Sequence, residues 1–291
     1  MKPAPFTYFA PRSLDEALSL LGQYGPDAKP LAGGQSLVPL MNFRLAKPRY
    51  LIDLNRIPEL AYIRRDDGRL AIGAMTRQFE AERSDEVARH APLLREALRL
   101  VGHPTIRHRG TVGGSIAHAD PAAELPAAAV ALGAEFVVRG PRGTRTVPAG
   151  EFFLGPFSTV LAPDELLVEV RIPAVPPGTG HAFLELSRRH GDFAIVGVAA
   201  LVGLGPDGRI ERAALTLGGA GPTPVRARQA EAALLGAPPT EDLFREAGEL
   251  AAREISPTSD IHASADYRRR VAAVLVRRAL AVATELAKKG G

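Results

Sequence analysis

Two short stretches that set adjacent glycines beside a hydroxyl constrain this chain more than any other feature. Leu31-Ala32-Gly33-Gly34-Gln35-Ser36-Leu37 follows an apolar run near the N-terminus, and Thr111-Val112-Gly113-Gly114-Ser115 lies inside the stretch His103 to Pro126. Residues without a Cβ let the backbone press close to a ligand and aim several N–H groups at it, which is anion-binding chemistry. Two such loops can grip one diphosphate.

Glycine pairs also mark tight turns, so the surroundings decide between the two readings. Neither stretch has the G-x-G-x-x-G spacing of a dinucleotide-binding βαβ unit or the G-x-x-x-x-G-K-[ST] spacing of a P-loop, and no lysine follows either one, which speaks against a nucleoside triphosphatase. Both carry hydroxyls, both are flanked by apolar segments, and Asp120 and Glu124 follow the second. Carboxylates do not bind phosphate, but they accept hydrogen bonds from sugar hydroxyls. The pattern suits a nucleotide with both a diphosphate and a polyol, such as FAD.

At 291 residues the chain exceeds the size at which one core stops growing, so two or three units are expected. There is no cysteine, hence no disulfide, no cysteine-held iron–sulfur cluster and no thiol nucleophile; redox chemistry here needs a bound organic cofactor. The net charge is only +4, with basic and acidic residues interleaved, which excludes a nucleic-acid surface. No window approaches the roughly 20 apolar residues of a membrane span, and MKPAPFTYFAPRS lacks the apolar core of a signal peptide, so a cytoplasmic chain is expected.

Ser13 and Glu16 form a capping box ahead of Leu14, Ala17, Leu18 and Leu21 on one helical face. Strands are expected at Lys29–Leu31 and Tyr50–Leu54, with Asn42–Pro48 connective. Asp66-Asp67-Gly68 turns a hairpin, Thr76 opens a long helical region, Pro92 starts a new segment of it, and Glu124–Leu132 reads as an apolar helix. Glu135–Arg139, Thr144–Val147 and Leu166–Ile172 read as strands. Pro173-Ala174-Val175-Pro176-Pro177-Gly178 is the clearest boundary, since proline resists both helix and ladder. Beyond it, strands at Ala182–Ser187, Ala194–Leu204 and Ile210–Leu217 precede helices near Arg226–Leu235, Glu241–Glu254 and Ala265–Lys288, an α+β order. Arg268, Arg269, Arg270, Arg277 and Arg278 crowd one side of the last helix. That side reads either as a basic partner- or membrane-binding face or, as expected here, as the solvated face of a packed helix.

The segments LAGGQSLVPLMNFRLAKP, LIDLNRIPEL, IGAMTR, GHPTIRHRGTVGGSIAHADPAAELPA and SRRHGDFAIVGVAA together resemble the FAD-binding medium subunit of the molybdenum hydroxylases, the carbon monoxide dehydrogenase and xanthine dehydrogenase group. The resemblance implies an α+β fold. A vanillyl-alcohol-oxidase-type (PCMH-type) FAD-binding domain of two αβ subdomains, residues 1–55 and 56–175, would precede a C-terminal domain, 176–291, with a three-stranded antiparallel sheet and a helix bundle. It also implies a site. Ala32, Gly33, Gly34, Gln35 and Ser36, with Leu37 closing the stretch, would serve the diphosphate together with Thr111, Gly113, Gly114 and Ser115. Asp120 would take ribityl or ribose hydroxyls, Glu124 would stand near the adenosine, His118 lies between the loop and Asp120, and Phe193 would lie by the isoalloxazine. Gln35 replaces a histidine common in the carbon monoxide enzymes, Phe193 lacks a tyrosine's hydroxyl, and Ser115 stands where xanthine-type relatives often have asparagine.

The same resemblance implies partners: a small subunit with two [2Fe–2S] clusters and a large subunit with the molybdenum cofactor, in a dimer of heterotrimers. Electrons would pass from the clusters through FAD to a quinone, a nicotinamide or oxygen, and no side chain of this chain need be catalytic. Two other classes stand beside it, a non-redox nucleotide-binding or interaction subunit and a stand-alone flavin oxidase. A metal site at His103, His108, His118 and Asp120 is the lesser reading, since their spacing matches no helix-face ligand pair.

Overall fold

The structure is a computed structural model that describes residues 1–290. Its first unit is a small parallel sheet. Strands β1 (Thr7–Phe9), β2 (Ala28–Leu31) and β3 (Tyr50–Asp53) pair in the order β1-β3-β2, with helix α1 (Leu14–Tyr24) joining the first two and α2 (Leu37–Asn42) the last two. Ser13 Oγ accepts from the Glu16 amide at 3.2 Å, as a capping residue should. Glu16 reaches back to the Arg12 amide at 2.8 Å, one residue short of a closed capping box. Leu14, Ala17 and Leu21 are the buried face of α1.

A second unit begins with the hairpin β4 (Ile63–Asp66) and β5 (Arg69–Gly73). Its turn residues Asp67 and Gly68 have φ of 46° and 76°, the left-handed pair whose twist matches the strands it joins. The expected long helical region is divided into α3 (Gln78–Arg83), α4 (Asp85–His90) and α5 (Pro92–Leu100), because Ser84 caps the second piece and Pro92 opens the third. Then come α6 (Pro104–Arg107), α7 (Val112–His118), α8 (Glu124–Ala131), β6 (Glu135–Gly140), β7 (Gly143–Pro148), α9 (Ala149–Phe152), the small hairpin β8 (Phe153–Gly155) and β9 (Ser158–Thr159), and β10 (Leu166–Ile172). The main sheet runs β4-β5-β10-β6-β7 and is antiparallel throughout.

The last unit is a sheet of three long antiparallel strands, β11 (Thr179–Leu186), β12 (Val196–Leu204) and β13 (Ile210–Gly218), to which β14 (Val225–Arg226) adds a two-residue edge not foreseen in the sequence. Helices α10 (Arg228–Leu234), α11 (Glu241–Glu254) and α12 (Ala265–Lys289) cover it. Backbone meets backbone where α12 crosses β11: a Cβ on Gly180 would lie 2.5 Å from the Ala287 amide. Ala272, Ala279, Ala283 and Ala287 make that approach possible, and Arg270 and Arg278 face solvent as expected. Arg268 does not; it is 7% exposed. Every residue of α8 is buried, which is what a helix apolar all round requires, and its core cluster includes Phe183, Ala199, Leu201 and Ala214 from the C-terminal sheet. No described helix is long and apolar enough to cross a membrane.

Candidate functional site

The first glycine stretch leaves the C-terminal end of β2, where Leu31 is in register with Asp53 at the end of β3. Crevices outside the carboxyl ends of parallel strands are where such sheets bind ligands. Gly34 has φ of 73°, a left-handed position that favours glycine, and Gln35 Nε2 donates to the Gly33 carbonyl at 3.2 Å, closing the turn on itself. The N–H groups of Gly33, Gly34, Gln35, Ser36 and Leu37 donate to no acceptor among the described residues. Five consecutive donors are thus left for a ligand or solvent, as an anion-binding turn requires. The Ser36 hydroxyl, which makes no capping bond to α2, is free to join them.

The second stretch behaves differently. Thr111 is the N-cap of α7 and Gly113 and Gly114 lie in its first turn, so the segment read as a loop is a helix start. Thr111 Oγ1 accepts from the Gly114 amide at 3.0 Å, the Gly113 amide donates to Ala74 at 2.9 Å, and the Ser115 amide donates to the Thr111 carbonyl at 3.2 Å. The amides of Gly113, Gly114 and Ser115 are thus engaged within the protein, whereas the Thr111 hydroxyl, which accepts there, keeps its own hydrogen to donate. Of this segment, the Thr111 amide and the Ser115 side chain make no hydrogen bond among the described residues. The glycines are needed for proximity instead. A Cβ on Gly113 would fall 2.8 Å from the Ala74 carbonyl oxygen, and one on Gly33 would fall 2.7 Å from Gly110 Cα, far inside normal contact. A Cβ on Gly114 would lie 3.2 Å from that of Ala32, so the two stretches meet face to face.

The C-terminal end of α7 carries the next group. His118 is half-buried, and burial holds its pKa below the usual histidine value against the opposing effect of Asp120. Its ring lies 5.1 Å from that of Phe157. Ala119 and Phe157 both adopt left-handed φ, 53° and 56°, and the Phe157 amide donates to the Ala119 carbonyl at 2.9 Å. Asp120 Oδ1 accepts from the Ala122 amide, which leaves Oδ2 for a hydroxyl. Glu124 is only 5% exposed, and burial, with Glu185 and Asp120 nearby, pushes its carboxyl up to about 8. It has almost no surface of its own in the folded chain. Glu185 on β11 is likewise pushed up to about 7 by burial.

The C-terminal unit meets the stretch His103 to Pro126 at two places. Its segment Ser187 to Ile195 docks through Gly191, whose φ is 88° and where a Cβ would meet the His103 ring at 2.6 Å. Phe193, in that segment, is 58% exposed, a large aromatic ring with no core to fill. Arg268 holds the segment from behind by donating to the carbonyls of Ile195 and Gly219 and to Asp260 Oδ2, the last at 2.6 Å. The Gly219 amide in turn donates to Pro121 at 2.7 Å. The histidines do not converge: His108 stacks on Phe79, His103 meets His190 edge-on, and the described residues contain no cluster of three metal-ligating side chains.

Three residues that sequence reading passed over matter here. Asn55 and Arg77 tie the two glycine stretches together, and Arg268 tethers the Phe193 segment. Asn55 and Arg77 both lay inside segments already singled out, LIDLNRIPEL and IGAMTR, but nothing local distinguishes an arginine that bridges two loops from one that faces water.

A row of free amides, glycines that admit no Cβ and an exposed aromatic side chain fit a flavin dinucleotide. Residues 4–175 match the family described as the FAD binding domain in molybdopterin dehydrogenase, and residues 181–283 match the CO dehydrogenase flavoprotein C-terminal domain. The 6-hydroxypseudooxynicotine dehydrogenase complex subunit alpha of Paenarthrobacter nicotinovorans is 44% identical over 99% of this chain and 97% of its own. The carbon monoxide dehydrogenase medium chain of Hydrogenophaga pseudoflava is 43% identical over 96% of this chain and 97% of its own. A carbon monoxide dehydrogenase structure from the same organism superposes with a TM-score of 0.96 at 45% identity, covering 98% of this chain and 99% of that one. Quinoline 2-oxidoreductase from Pseudomonas putida 86 gives a TM-score of 0.94 at 39% identity over 99% of both chains. The chain belongs to the FAD-binding medium subunits of the molybdenum hydroxylases, oxidoreductase complexes of the carbon monoxide and xanthine dehydrogenase type.

Proposed function

We propose that the diphosphate of FAD is held by the free amides of Gly33 to Leu37 and by the Ser36 hydroxyl, with the chain acting as the electron-transfer flavoprotein of a three-subunit complex. The observation that carries this reading is the run of five unengaged N–H groups on a stretch that packs against the start of α7. When bound, FAD supplies the redox chemistry, accepting electrons from [2Fe–2S] clusters of a small partner subunit and passing them to a quinone, a nicotinamide or oxygen. The residues of this chain position and polarise. The amides neutralise phosphate charge without competing counterions, and Ser115 adds a hydroxyl from the opposite side. Asp120 Oδ2 accepts from a sugar or ribityl hydroxyl, neutral His118 offers one donor and one acceptor, and Phe193 covers a face of the isoalloxazine. Ala32, Gly114 and Thr111 shape the floor; Gln35 holds the turn.

Substrate oxidation belongs, in this reading, to a large subunit with the molybdenum cofactor, the assembly is a dimer of heterotrimers, and it works in the cytoplasm. Division of the chain at residues 55 and 175 is part of the same proposal. The test is an absorption spectrum of the purified chain before and after Gly33, Gly34, Gly113 and Gly114 are each replaced by valine. Flavin bands in the unaltered chain that vanish in the variants support the site. A chain that stays colourless when FAD is added refutes it.

A further inference from the structure

We infer that Asn55 and Arg77 are positioning residues for the flavin, forming a side-chain bridge that fixes the gap between the two glycine stretches and the direction of the first free amide. The inference rests on the placement of the FAD diphosphate at Gly33 to Leu37. β3 ends at Asp53, whose Oδ2 accepts from the Tyr8 hydroxyl at 2.5 Å and whose Oδ1 accepts from the Asn55 amide at 2.9 Å and from Asn55 Nδ2 at 2.5 Å. Burial works to raise the Asp53 pKa, but the bonds from Tyr8 and Asn55 prevail and hold it below the usual carboxylate value. A charged Asp53 thus orients the Asn55 side chain.

So oriented, Asn55 reaches in two directions. Its Nδ2 donates to the Ala32 carbonyl at 2.8 Å, and its Oδ1 accepts from Arg77 Nη2 at 2.6 Å. Arg77 Nη1 donates to the Arg109 carbonyl at 2.5 Å, at the place where Gly33 packs against the Arg109–Gly110 backbone. An unbroken line of donors and acceptors therefore runs from Tyr8 to the Ala32 carbonyl of the first stretch and to the Arg109 carbonyl just ahead of the second. Across a planar trans peptide the carbonyl and the following N–H point in opposite directions. Turning the Ala32 carbonyl toward Asn55 turns the Gly33 N–H away from it, in a fixed direction. Arg77 suits the other end because its planar fork serves two acceptors at once, which a lysine ammonium on a single stem does not reproduce.

The test uses the full chain stripped of flavin, titrated with FAD, with ADP and with riboflavin, in the unaltered form and as Asn55→Ala and Arg77→Lys. ADP carries the diphosphate without the flavin ring; riboflavin carries the ring without the diphosphate. The expected result is FAD and ADP binding weakened at least about tenfold in both variants, the ratio that accompanies loss of one charge-assisted hydrogen bond, with riboflavin binding unchanged. The inference is overturned if either variant binds FAD and ADP within twofold of the unaltered chain, or if riboflavin binding falls as far as ADP binding, which marks general loosening. An unaltered chain that takes up neither FAD nor ADP refutes the site itself, and that control tells the two failures apart.

Discussion

Replacing Gly33 by alanine separates the two demands on glycine at this site. Gly33 needs its hydrogen because the Arg109–Gly110 backbone stands in the way, with Gly110 Cα 2.7 Å from where the new carbon would go. Gly34 needs its backbone freedom, at φ of 73°, while its added carbon would meet only the flexible tips of Val38 at 3.1 Å and Leu31 at 3.3 Å. Gly68 in the β4–β5 turn is the reference: φ is 76° and nothing lies within 4 Å. Left-handed backbone costs a residue with a Cβ about 1–2 kcal/mol, so Gly68→Ala reports that penalty alone and Gly34→Ala should resemble it. Gly33→Ala meets backbone, which cannot swing aside as a side-chain tip does, and overpacking of this kind costs about 1–3 kcal/mol. The folded chain relieves it by parting the two stretches. The cost then moves from stability to ligand affinity, since the diphosphate needs them together. The expected pattern is a melting temperature for Gly33→Ala no lower than for Gly34→Ala, with FAD affinity reduced roughly 5- to 150-fold, the ratios equivalent to that range. The assay is flavin fluorescence quenching alongside calorimetry of the stripped chain. A Gly33→Ala chain that keeps its flavin at unaltered affinity refutes the argument that these stretches must touch.

Three further outcomes follow from the electrostatics and the backbone. Glu124 is pushed up to about 8 in the folded chain against 4.5 when free, so between those values the unfolded state binds fewer protons. Through this group stability falls as pH rises from about 4.5 to 8, at up to about 1.4 kcal/mol per pH unit, and levels off above, in addition to the fall that Glu185 gives up to about 7. Glu124→Gln should flatten that fall in urea titrations from pH 5 to 8.5, and an unchanged slope would contradict the buried neutral carboxyl. Arg268→Met leaves the carbonyls of Ile195 and Gly219 without their donor and Asp260 without its cation, for a loss of about 3 kcal/mol, at the lower end for a buried pair because Asp260 reaches solvent. A loss below about 1 kcal/mol in urea unfolding would show that the tether is not needed. Ala119→Gly should change stability by less than about 0.5 kcal/mol, because relief of the left-handed φ, about 1 kcal/mol, offsets the buried methyl, about 0.8 kcal/mol. Ala119→Val, which adds bulk at a 3% exposed left-handed position, should lose more than about 2 kcal/mol.

What could be read in advance was what short-range chemistry decides. The hairpin at Asp66 to Gly68 was legible because both left-handed positions fall on residues that tolerate them, and Ser13 announces α1 because it caps the helix with its own hydroxyl. The Gly-Gly stretches were legible as a pair, but not in their division of labour. Whether an amide is free depends on a carbonyl elsewhere: Ala74 claims that of Gly113, and nothing claims that of Gly33. The burial of Glu124 was not legible because it comes from elements far away in sequence, the strands β12 and β13 that pack on α8. Arg268 was lost among neighbouring arginines for the same reason, since its acceptors Ile195 and Gly219 lie just beyond the ends of β12 and β13, far away in sequence.

The strand order of the main sheet has a consequence for how the chain comes off the ribosome. β5 and β6 are not neighbours; β10 lies between them and pairs with both. Until residue 172 has emerged, the nascent chain has two half-sheets with open edges, and Ala74, which leaves β5 and donates to Val168 of β10, has no partner there. The same Ala74 receives Gly113. At a synthesis rate of about 5–20 residues per second, several seconds separate the appearance of both glycine stretches from that of the strand that steadies the ground beneath the second. Open strand edges over such an interval invite pairing with other chains, so flavin loading is expected to be a late event, and the yield of intact protein to depend on what guards those edges during translation.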